Sequence, residues 1–176
     1  MDHRTCPIHT GPANKSLPRQ RHCRKEDLKK MDAPKIRVVL LSHGEQSKGM
    51  LNSVQMLLGP QENITAYSLY PEQTVNDLVD QLRKEVETYG AENIIFMTEL
   101  KLGSPFNAVV QLTRDYDIYH ISGTNLATLM TVITERDDED ATAESVCAAA
   151  METAQDSIVD VRKMLEEEAD MEEEDL

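Results

Sequence analysis

The sequence lacks the features that mark most nucleotide-binding and flavin-binding proteins. Aromatic residues make up only 4% of its 176 residues and tryptophan is absent, so few rings are available to stack on a flavin. Neither a Walker-type phosphate loop nor a GxGxxG sequence is present, and these motifs supply the backbone N–H groups that hold phosphates. Nucleotide binding therefore has no support from a motif, and a flavodoxin-like cofactor-binding protein is disfavoured.

Cysteines and long apolar runs are also scarce. Cys6, Cys23 and Cys147 are odd in number and widely spaced, which predicts reduced thiols in a reducing compartment rather than a disulfide framework. No apolar run approaches the roughly 18 residues of a membrane span, and the basic N-terminus lacks the apolar segment of a secretory signal. We therefore expect a cytoplasmic protein. With His9 and His22, the first two cysteines offer four zinc ligands, but their spacing matches no usual structural zinc site.

Charge is distributed unevenly along the chain, whose formal net charge is −14. Residues 1–30 contain eight Lys or Arg and three Asp or Glu, a balance of +5, which leaves −19 for the remainder. That acidic body would repel phosphates, so nucleic-acid binding is disfavoured. Residues 1–34 hold four of the seven prolines and show no hydrophobic periodicity, which predicts a disordered basic extension. Eight acids between Glu166 and Asp175 predict a solvated acidic tail over residues 164–176.

The intervening residues, 35–163, predict one domain in which strands alternate with helices. Strands are expected where apolar residues run continuously, and helices where they recur every three or four residues. The predicted strands are residues 36–41, 64–69, 93–98 and 117–122. This alternation is typical of a parallel sheet whose right-handed crossovers place helices on both faces. We predict a doubly wound α/β fold with a mainly parallel four-stranded sheet in the order 2-1-3-4. Residues 157–161 are short and β-branched, which fits either a fifth strand or more helix.

Three of the predicted helices begin at residues that commonly cap a helix. Thr74 and Asp77 have the spacing of a capping box at the second helix. Ser104 precedes Pro105, which predicts serine as the cap and proline at the first position of the third helix. Asn125 is the predicted cap of the fourth helix.

Two loops, after the first and third strands, carry the residues best suited to chemistry. In the order 2-1-3-4 these strands are neighbours at the switch point, so their loops face each other. The carboxylate of Glu99 would then lie near the ring of His43, fixing its tautomer and leaving the other nitrogen free as a nucleophile. The start of the third helix, with the Ser104 hydroxyl, suits a phosphoryl group. Gly44 and Gly103 would allow the backbone to approach that group closely.

Each of these residues also has an ordinary structural explanation. His43 is equally compatible with a loop histidine satisfied by backbone groups, Ser104 with a helix cap, and Glu99 with a solvated acid. His120 lies within the fourth predicted strand and is interpreted as a packed strand histidine. Met56 is interpreted as a core residue of the first helix.

Three motifs occur in a distinctive order along the chain. They are His-Gly-Glu-x-x-Lys-Gly at residues 43–49, Thr-Glu-Leu-x-x-Gly-Ser-Pro-Phe-Asn at residues 98–107, and Ser-Gly-Thr-Asn-Leu at residues 122–126. With these motifs, the chain resembles the enzyme IIA domain of the mannose class of the bacterial phosphoenolpyruvate-dependent sugar phosphotransferase system. The resemblance covers roughly residues 36–162.

The resemblance implies a phosphotransferase that works as a phosphocarrier and needs neither a metal nor a nucleotide cofactor. The family histidine, matching His43, accepts a phosphoryl group from the phosphohistidine of HPr and passes it to enzyme IIB. Enzyme IIB then phosphorylates sugar delivered by the membrane components IIC and IID. The family acid matching Glu99 orients the histidine, and the serine matching Ser104 contacts the phosphoryl group. Family members commonly form homodimers that exchange a C-terminal edge strand, for which residues 158–161 are the candidate.

The chain departs from the family pattern in one loop. Glu99 stands where the family usually has aspartate, Leu102 replaces a glycine, and Lys101 stands where an apolar residue is common. These departures bear on the rate of transfer and on the choice of partner. The alternative is a regulatory or binding module of the same fold, in which phosphorylation of His43 signals, or feeds a dihydroxyacetone kinase, rather than drives transport.

Overall fold

The structure, a computed structural model, describes residues 35–174, in which four strands alternate with helices and two further helices follow. The four strands of this region are β1 (Arg37–His43), β2 (Ile64–Leu69), β3 (Ile94–Thr98) and β4 (Tyr119–Ser122). Its six α-helices are α1 (Gln46–Leu58), α2 (Val75–Tyr89), α3 (Ser104–Leu112), α4 (Leu126–Glu135), α5 (Ala143–Asp156) and α6 (Val161–Glu174). A single turn of 3₁₀ helix, Ala91–Asn93, precedes β3. The predicted basic extension, residues 1–34, and its four candidate zinc ligands lie outside the described residues. None of the helices between residues 35 and 174 has the length and apolar character of a membrane span.

The strands form one parallel sheet in the order β2-β1-β3-β4, as predicted. Leu41 of β1 pairs with Tyr67 of β2 on one side and with Thr98 of β3 on the other. The carboxyl ends of β1 and β3 therefore lie side by side at the centre of the sheet. This is the switch point at which α/β proteins carry their ligands.

Helices cover both faces of the sheet. Successive residues of β1 point to opposite faces, so β1 contributes to a core on each side. Val38 and Leu40 belong to a core built with α1, α4 and α5. Val39 and Leu41 belong to a second core built with α2 and α3. The chain thus leaves β1 toward one face and leaves β3 toward the other, which opens a crevice between the two loops.

The predicted helix caps are confirmed for α2 and α4. At α2, the Thr74 hydroxyl accepts the backbone N–H of Asp77 at 3.2 Å, and the Asp77 carboxylate accepts the backbone N–H of Thr74 at 3.1 Å. At α4, the Asn125 side chain accepts the backbone N–H of Thr128 at 2.9 Å. The packing of α1 differs from its prediction at Met56, which is exposed. Met56 lies two residues beyond the buried Val54, about 200° around the helix, and so faces solvent.

Arg136, at the end of α4, is a buried charge that the sequence pattern did not predict. Its guanidinium donates to the backbone carbonyls of Glu62 at 2.8 Å, Asn63 at 3.1 Å and Ile36 at 3.3 Å. Burial lowers the pKa of Arg136. Because these carbonyls lie just before β1 and β2, the arginine ties the end of α4 to the starts of two strands.

The alternative of a fifth strand at residues 157–161 is not adopted by the single chain. Residues 157–160 are irregular, and α6 begins at Val161. The Asp160 carboxylate accepts the backbone N–H groups of Arg162 at 3.1 Å and Lys163 at 3.4 Å. Asp160 therefore caps a helix, and in the single chain this local signal prevails over the β-branched composition.

The predicted acidic tail is helical as far as Glu174. Arg162 pairs with Glu166 at 2.9 Å and Lys163 with Glu167 at 3.7 Å, and such pairs one turn apart stabilise a solvent-exposed helix. The domain boundary at residue 163 and the exchange of a strand between subunits remain predictions.

Candidate active site

The candidate site lies where β1 and β3 end. His43 is the last residue of β1, and Glu99 directly follows β3. The backbone N–H of Glu99 donates to the carbonyl of Leu41 at 3.3 Å, which continues the pairing of the two strands by one residue. The two side chains that the sequence predicted to meet are therefore brought to the same edge of the sheet.

One oxygen of Glu99 holds His43 in two ways. Oε1 accepts the backbone N–H of His43 at 2.6 Å and also contacts Nδ1 of the imidazole. A carboxylate at Nδ1 favours the tautomer in which Nδ1 carries the proton, so Nε2 keeps its lone pair. The His43 side chain is 48% exposed, whereas that of Glu99 is only 12% exposed. The arrangement leaves an accessible nitrogen nucleophile and a sheltered carboxylate that orients it.

Gly103 provides the surface against which the imidazole lies. A Cβ atom on this residue would be 3.2 Å from Cε1 of His43 and 3.3 Å from the carbonyl oxygen of Leu100. Both distances are tighter than ordinary van der Waals contact. The close approach of the imidazole therefore favours glycine here. The predicted approach of this backbone to a phosphoryl group stays a prediction.

Gly44 turns the chain out of β1. Its φ of +54° lies in the left-handed region, which glycine adopts without a steric penalty. Its N–H donates to the carbonyl of Leu69 at 3.1 Å, and α1 begins two residues later. Gly44 thus lets the chain turn sharply while His43 stays at the edge of the sheet.

The start of α3 differs from its prediction by one residue. Gly103, not Ser104, is the N-cap, and its carbonyl accepts the N–H of Asn107 at 2.9 Å. Ser104 and Pro105 are the first two helical residues, and in the described part of the chain the Ser104 hydroxyl has no hydrogen-bond partner. The N–H groups of Ser104 and Phe106 belong to the first turn, where helical N–H groups have no carbonyl partner. These donors are available to an anion.

A second polar cluster, Glu45, Lys48 and Tyr70, lies beside His43. Lys48 Nζ donates to the Tyr70 hydroxyl at 2.8 Å and to Glu45 Oε1 at 3.2 Å, and the Tyr70 hydroxyl donates to Glu45. The hydrogen bonds with Tyr70 lower the pKa of Glu45 and raise that of Lys48. Sequence reasoning missed Tyr70, although it follows Leu69, the β2 residue that pairs with His43. Applying the strand-end rule to β2 would have found it.

The Ser-Gly-Thr-Asn-Leu motif, residues 122–126, forms hydrogen bonds with the end of β3. The carbonyl of Thr98, the last residue of β3, accepts the N–H of Gly123 at 2.9 Å and the N–H of Thr124 at 3.1 Å. It also accepts the Thr124 hydroxyl at 3.0 Å. The loop after β4 therefore fixes the strand end from which Glu99 projects. Sequence reasoning assigned no structural role to Gly123 and Thr124.

His120 packs behind α3, as predicted. Its Nε2 lies 2.9 Å from the Thr98 hydroxyl, and its ring centroid is 5.0 Å from that of Phe106. Burial lowers the pKa of His120 to about 4, so the ring is neutral near pH 7. Among residues 35–174, no group of three or more His, Cys, Asp or Glu is arranged to hold a metal ion.

Residues 37–151 match the model of the EIIA-man family, described as the PTS system fructose IIA component. The chain is 28% identical over 125 residues to the PTS system mannose-specific EIIAB component of Escherichia coli (strain K12), an alignment that covers 70% of this chain and 38% of that protein. It therefore spans little more than a third of the length of this relative. It is also 32% identical over 92 residues to the PTS system sorbose-specific EIIA component of Klebsiella pneumoniae, covering 52% of this chain and 67% of that one.

A solved structure shares the fold. The phosphotransferase system component EIIA from Streptococcus agalactiae superposes with a TM-score of 0.66 at 26% identity, covering 73% of this chain and 98% of that one. The family model includes β1 to β4 and both loops of the candidate site. Because the family model matches residues 37–151, which is more than half of the chain, the chain belongs to the EIIA-man family of the phosphotransferase system.

Proposed function

We propose that this family member is a cytoplasmic histidine phosphocarrier, which accepts a phosphoryl group from HPr on His43 and passes it to enzyme IIB for sugar uptake. The observation that carries the proposal is the contact between Glu99 and Nδ1 of His43, which leaves Nε2 as the free nucleophile. Its partners are HPr and IIB, which dock at the carboxyl edge of the sheet, and indirectly the membrane components IIC and IID.

In the proposed step, the lone pair of His43 Nε2 attacks the phosphorus of the phosphohistidine on HPr. A P–N bond forms at Nε2 while the P–N bond of the donor breaks, and that bonding pair returns to the donor nitrogen. The donor ring, protonated at its second nitrogen, leaves as neutral imidazole, and His43 keeps its proton on Nδ1. The phosphorylated ring is then cationic, and the carboxylate of Glu99 stabilises it. Transfer to IIB repeats the step with His43 as the donor.

The first turn of α3 would receive the phosphoryl oxygens. The Ser104 hydroxyl and the N–H groups of Ser104 and Phe106 are donors at a helix N-terminus, an arrangement that suits phosphate. Gly103 directly precedes this turn and lies against the imidazole, because a Cβ atom on Gly103 would be 3.2 Å from Cε1 of His43. Ser104 therefore acts as a phosphoryl contact, with Gly44 and Gly103 as backbone support.

A homodimer is part of the proposal. Ile158 and Val161 are exposed apolar side chains at the segment that the family resemblance assigns to strand exchange. Light scattering of the wild type and of Ile158→Asp tests the dimer. A wild-type mass of one chain would contradict it.

The decisive experiment is phosphoryl transfer from phosphoenolpyruvate through enzyme I and HPr. We expect an acid-labile, base-stable label on the wild type and on His120→Gln, and none on His43→Ala. Phosphorus NMR with ¹⁵N-labelled histidine should place the phosphorus on Nε2. No label on folded wild type would refute the carrier, and label on Nδ1 would refute the role given to Glu99.

Chasing the label separates transport from signalling. Quantitative transfer from His43 to an enzyme IIB is expected of a transport component. Label that stays on His43 in the presence of IIB, or moves to a dihydroxyacetone kinase, would instead support the alternative role.

A further inference from the structure

The turn that precedes α3 exposes two leucines beside the reactive histidine. Residues 100–103 form a turn in which the N–H of Gly103 donates to the carbonyl of Leu100 at 3.3 Å. Leu100 is 60% exposed and Leu102 is 71% exposed. We call these two side chains the apolar rim.

The backbone of Leu102 is unusual for a residue with a side chain. Its φ of +65° lies in the left-handed region, and it occupies the third position of the turn, where a positive φ normally selects glycine or asparagine. The exposed leucine side chain gains little from packing within the fold. Because strained residues cluster at sites of function, this conformation calls for a functional explanation.

The apolar rim is adjacent to the reacting ring. A Cβ atom on Gly103 would lie 3.2 Å from Cε1 of His43 and 3.7 Å from Cβ of Leu100, so the imidazole and Leu100 flank the same glycine. Transfer between two proteins requires the donor phosphorus to reach bonding distance of Nε2. Any donor must therefore cover the surface next to His43 during transfer.

Charge offers little selectivity on the other side of His43. Glu45 and Lys48 hydrogen-bond each other and Tyr70, so that cluster presents no unbalanced charge to a partner. Lys101, between the two leucines, adds one exposed positive charge to this loop. Apolar contact through the rim is a further means by which the described loops can distinguish one phosphohistidine protein from another.

We propose that the apolar rim, Leu100 and Leu102, docks on an apolar surface around the phosphohistidine of the donor protein and so determines which donor serves His43. The inference rests on the proposed carrier function. It names Leu102 as a specificity residue that acts on donor binding and leaves the transfer step itself unchanged.

Steady-state transfer from phosphorylated HPr tests the proposal. Leu102→Ala and Leu102→Gly should each raise the KM for the donor about five- to tenfold with kcat unchanged, the loss expected from a partly buried leucine side chain. Alanine keeps the strain of the positive φ and glycine relieves it, so a common rise in KM separates docking from conformation. Leu57→Ala is the matched control, because Leu57 is likewise an exposed leucine, at 60% against 71% for Leu102, but lies at the far end of α1.

Three outcomes would overturn the proposal. One is an unchanged KM in both Leu102 variants while His43→Ala still abolishes labelling, which would leave the carrier function intact. Another is an equal rise in KM for Leu57→Ala. The third is a change in oligomeric mass, measured by light scattering, without a change in KM, since the rim would then be a contact between copies of this chain. A folded wild type that takes no label refutes the carrier and the rim together.

Discussion

Replacing Glu99 with glutamine should remove the charge at His43 while keeping the tautomer. Glu99 Oε1 accepts the backbone N–H of His43 at 2.6 Å in addition to contacting Nδ1. A glutamine must keep its oxygen at this position, because the flipped amide would direct an N–H group at the N–H of the backbone. The backbone bond therefore prevents the wrong tautomer.

The expected loss follows from the strength of the hydrogen bond. A hydrogen bond to a charged group contributes about 1.5–3 kcal/mol and a neutral one about 0.5–1.5 kcal/mol. The difference of about 1–2 kcal/mol corresponds to roughly a five- to thirtyfold slower transfer for Glu99→Gln. Glu99→Ala loses the whole interaction and should be slowed by about 10- to 150-fold.

Glu99→Asp restores the residue usual in the family and should still slow transfer. The carboxylate retreats by about 1.5 Å, one carbon–carbon bond, which breaks at least one of the two contacts with His43. Its rate should therefore lie between those of the wild type and Glu99→Ala.

Rapid-quench measurement of transfer from saturating phosphorylated HPr gives these rates, with thermal melts as the control for folding. Equal rates for the wild type and Glu99→Ala would refute an orienting role for the carboxylate. A loss for Glu99→Gln as large as that for Glu99→Ala would show that the amide flips, and would refute the argument from the backbone bond.

Three further predictions concern stability. Leu102→Gly should be more stable than Leu102→Ala by about 1 kcal/mol in urea unfolding, because only alanine keeps a strained positive φ; the usual order, with alanine more stable, would contradict this. Arg136→Met should lose about 3 kcal/mol, since it removes the buried donor from the carbonyls before β1 and β2, and a loss below about 1 kcal/mol would show that they find other partners. The pKa of His120 is about 4 in the folded chain against 6.5 for the free side chain. As the pH drops from 7 to 4, the unfolded chain therefore binds a proton that the folded chain does not, and the free energy of unfolding falls. Compared with His120→Gln, the wild type should lose up to about 3 kcal/mol more over this range; parallel pH profiles would refute it.

The sheet and the central pair of residues could be predicted because they depend on regular patterns. The apolar strands specify a parallel sheet, and the order of its strands brings the ends of β1 and β3 together. Once that edge is known, His43 and Glu99 must be neighbours, whatever the details of their loops. The Thr74 capping box could be predicted for a similar reason, because its hydrogen bonds are local in sequence.

The remaining features depend on contacts that no local pattern reports. Arg136 meets carbonyls more than 70 positions away in sequence, and a lone arginine at a helix end normally indicates an exposed residue. Residues 157–161 have β-branched composition, but the Asp160 cap decides in favour of a helix. At α3, both Gly103 and Ser104 are acceptable caps, and the sequence pattern does not distinguish between them.

Backbone hydrogen bonds between strand ends fix the loop that carries the departures from the expected family pattern. Thr98 anchors the end of β3 through Gly123 and Thr124, and the N–H of Glu99 continues that strand against β1. The position of the Glu99 backbone is thus set by neighbouring strands, independently of its side chain. The Glu99 carboxylate, one methylene longer than that of aspartate, can then reach both donors of His43 without moving the loop. The hydrogen bond from the Gly103 N–H to the Leu100 carbonyl closes the turn in which Leu102 has its positive φ. Substitutions of Glu99 should accordingly change the rate of transfer and those of Leu102 the choice of partner. Substitutions that break the Thr98 anchor should displace Glu99 and abolish transfer.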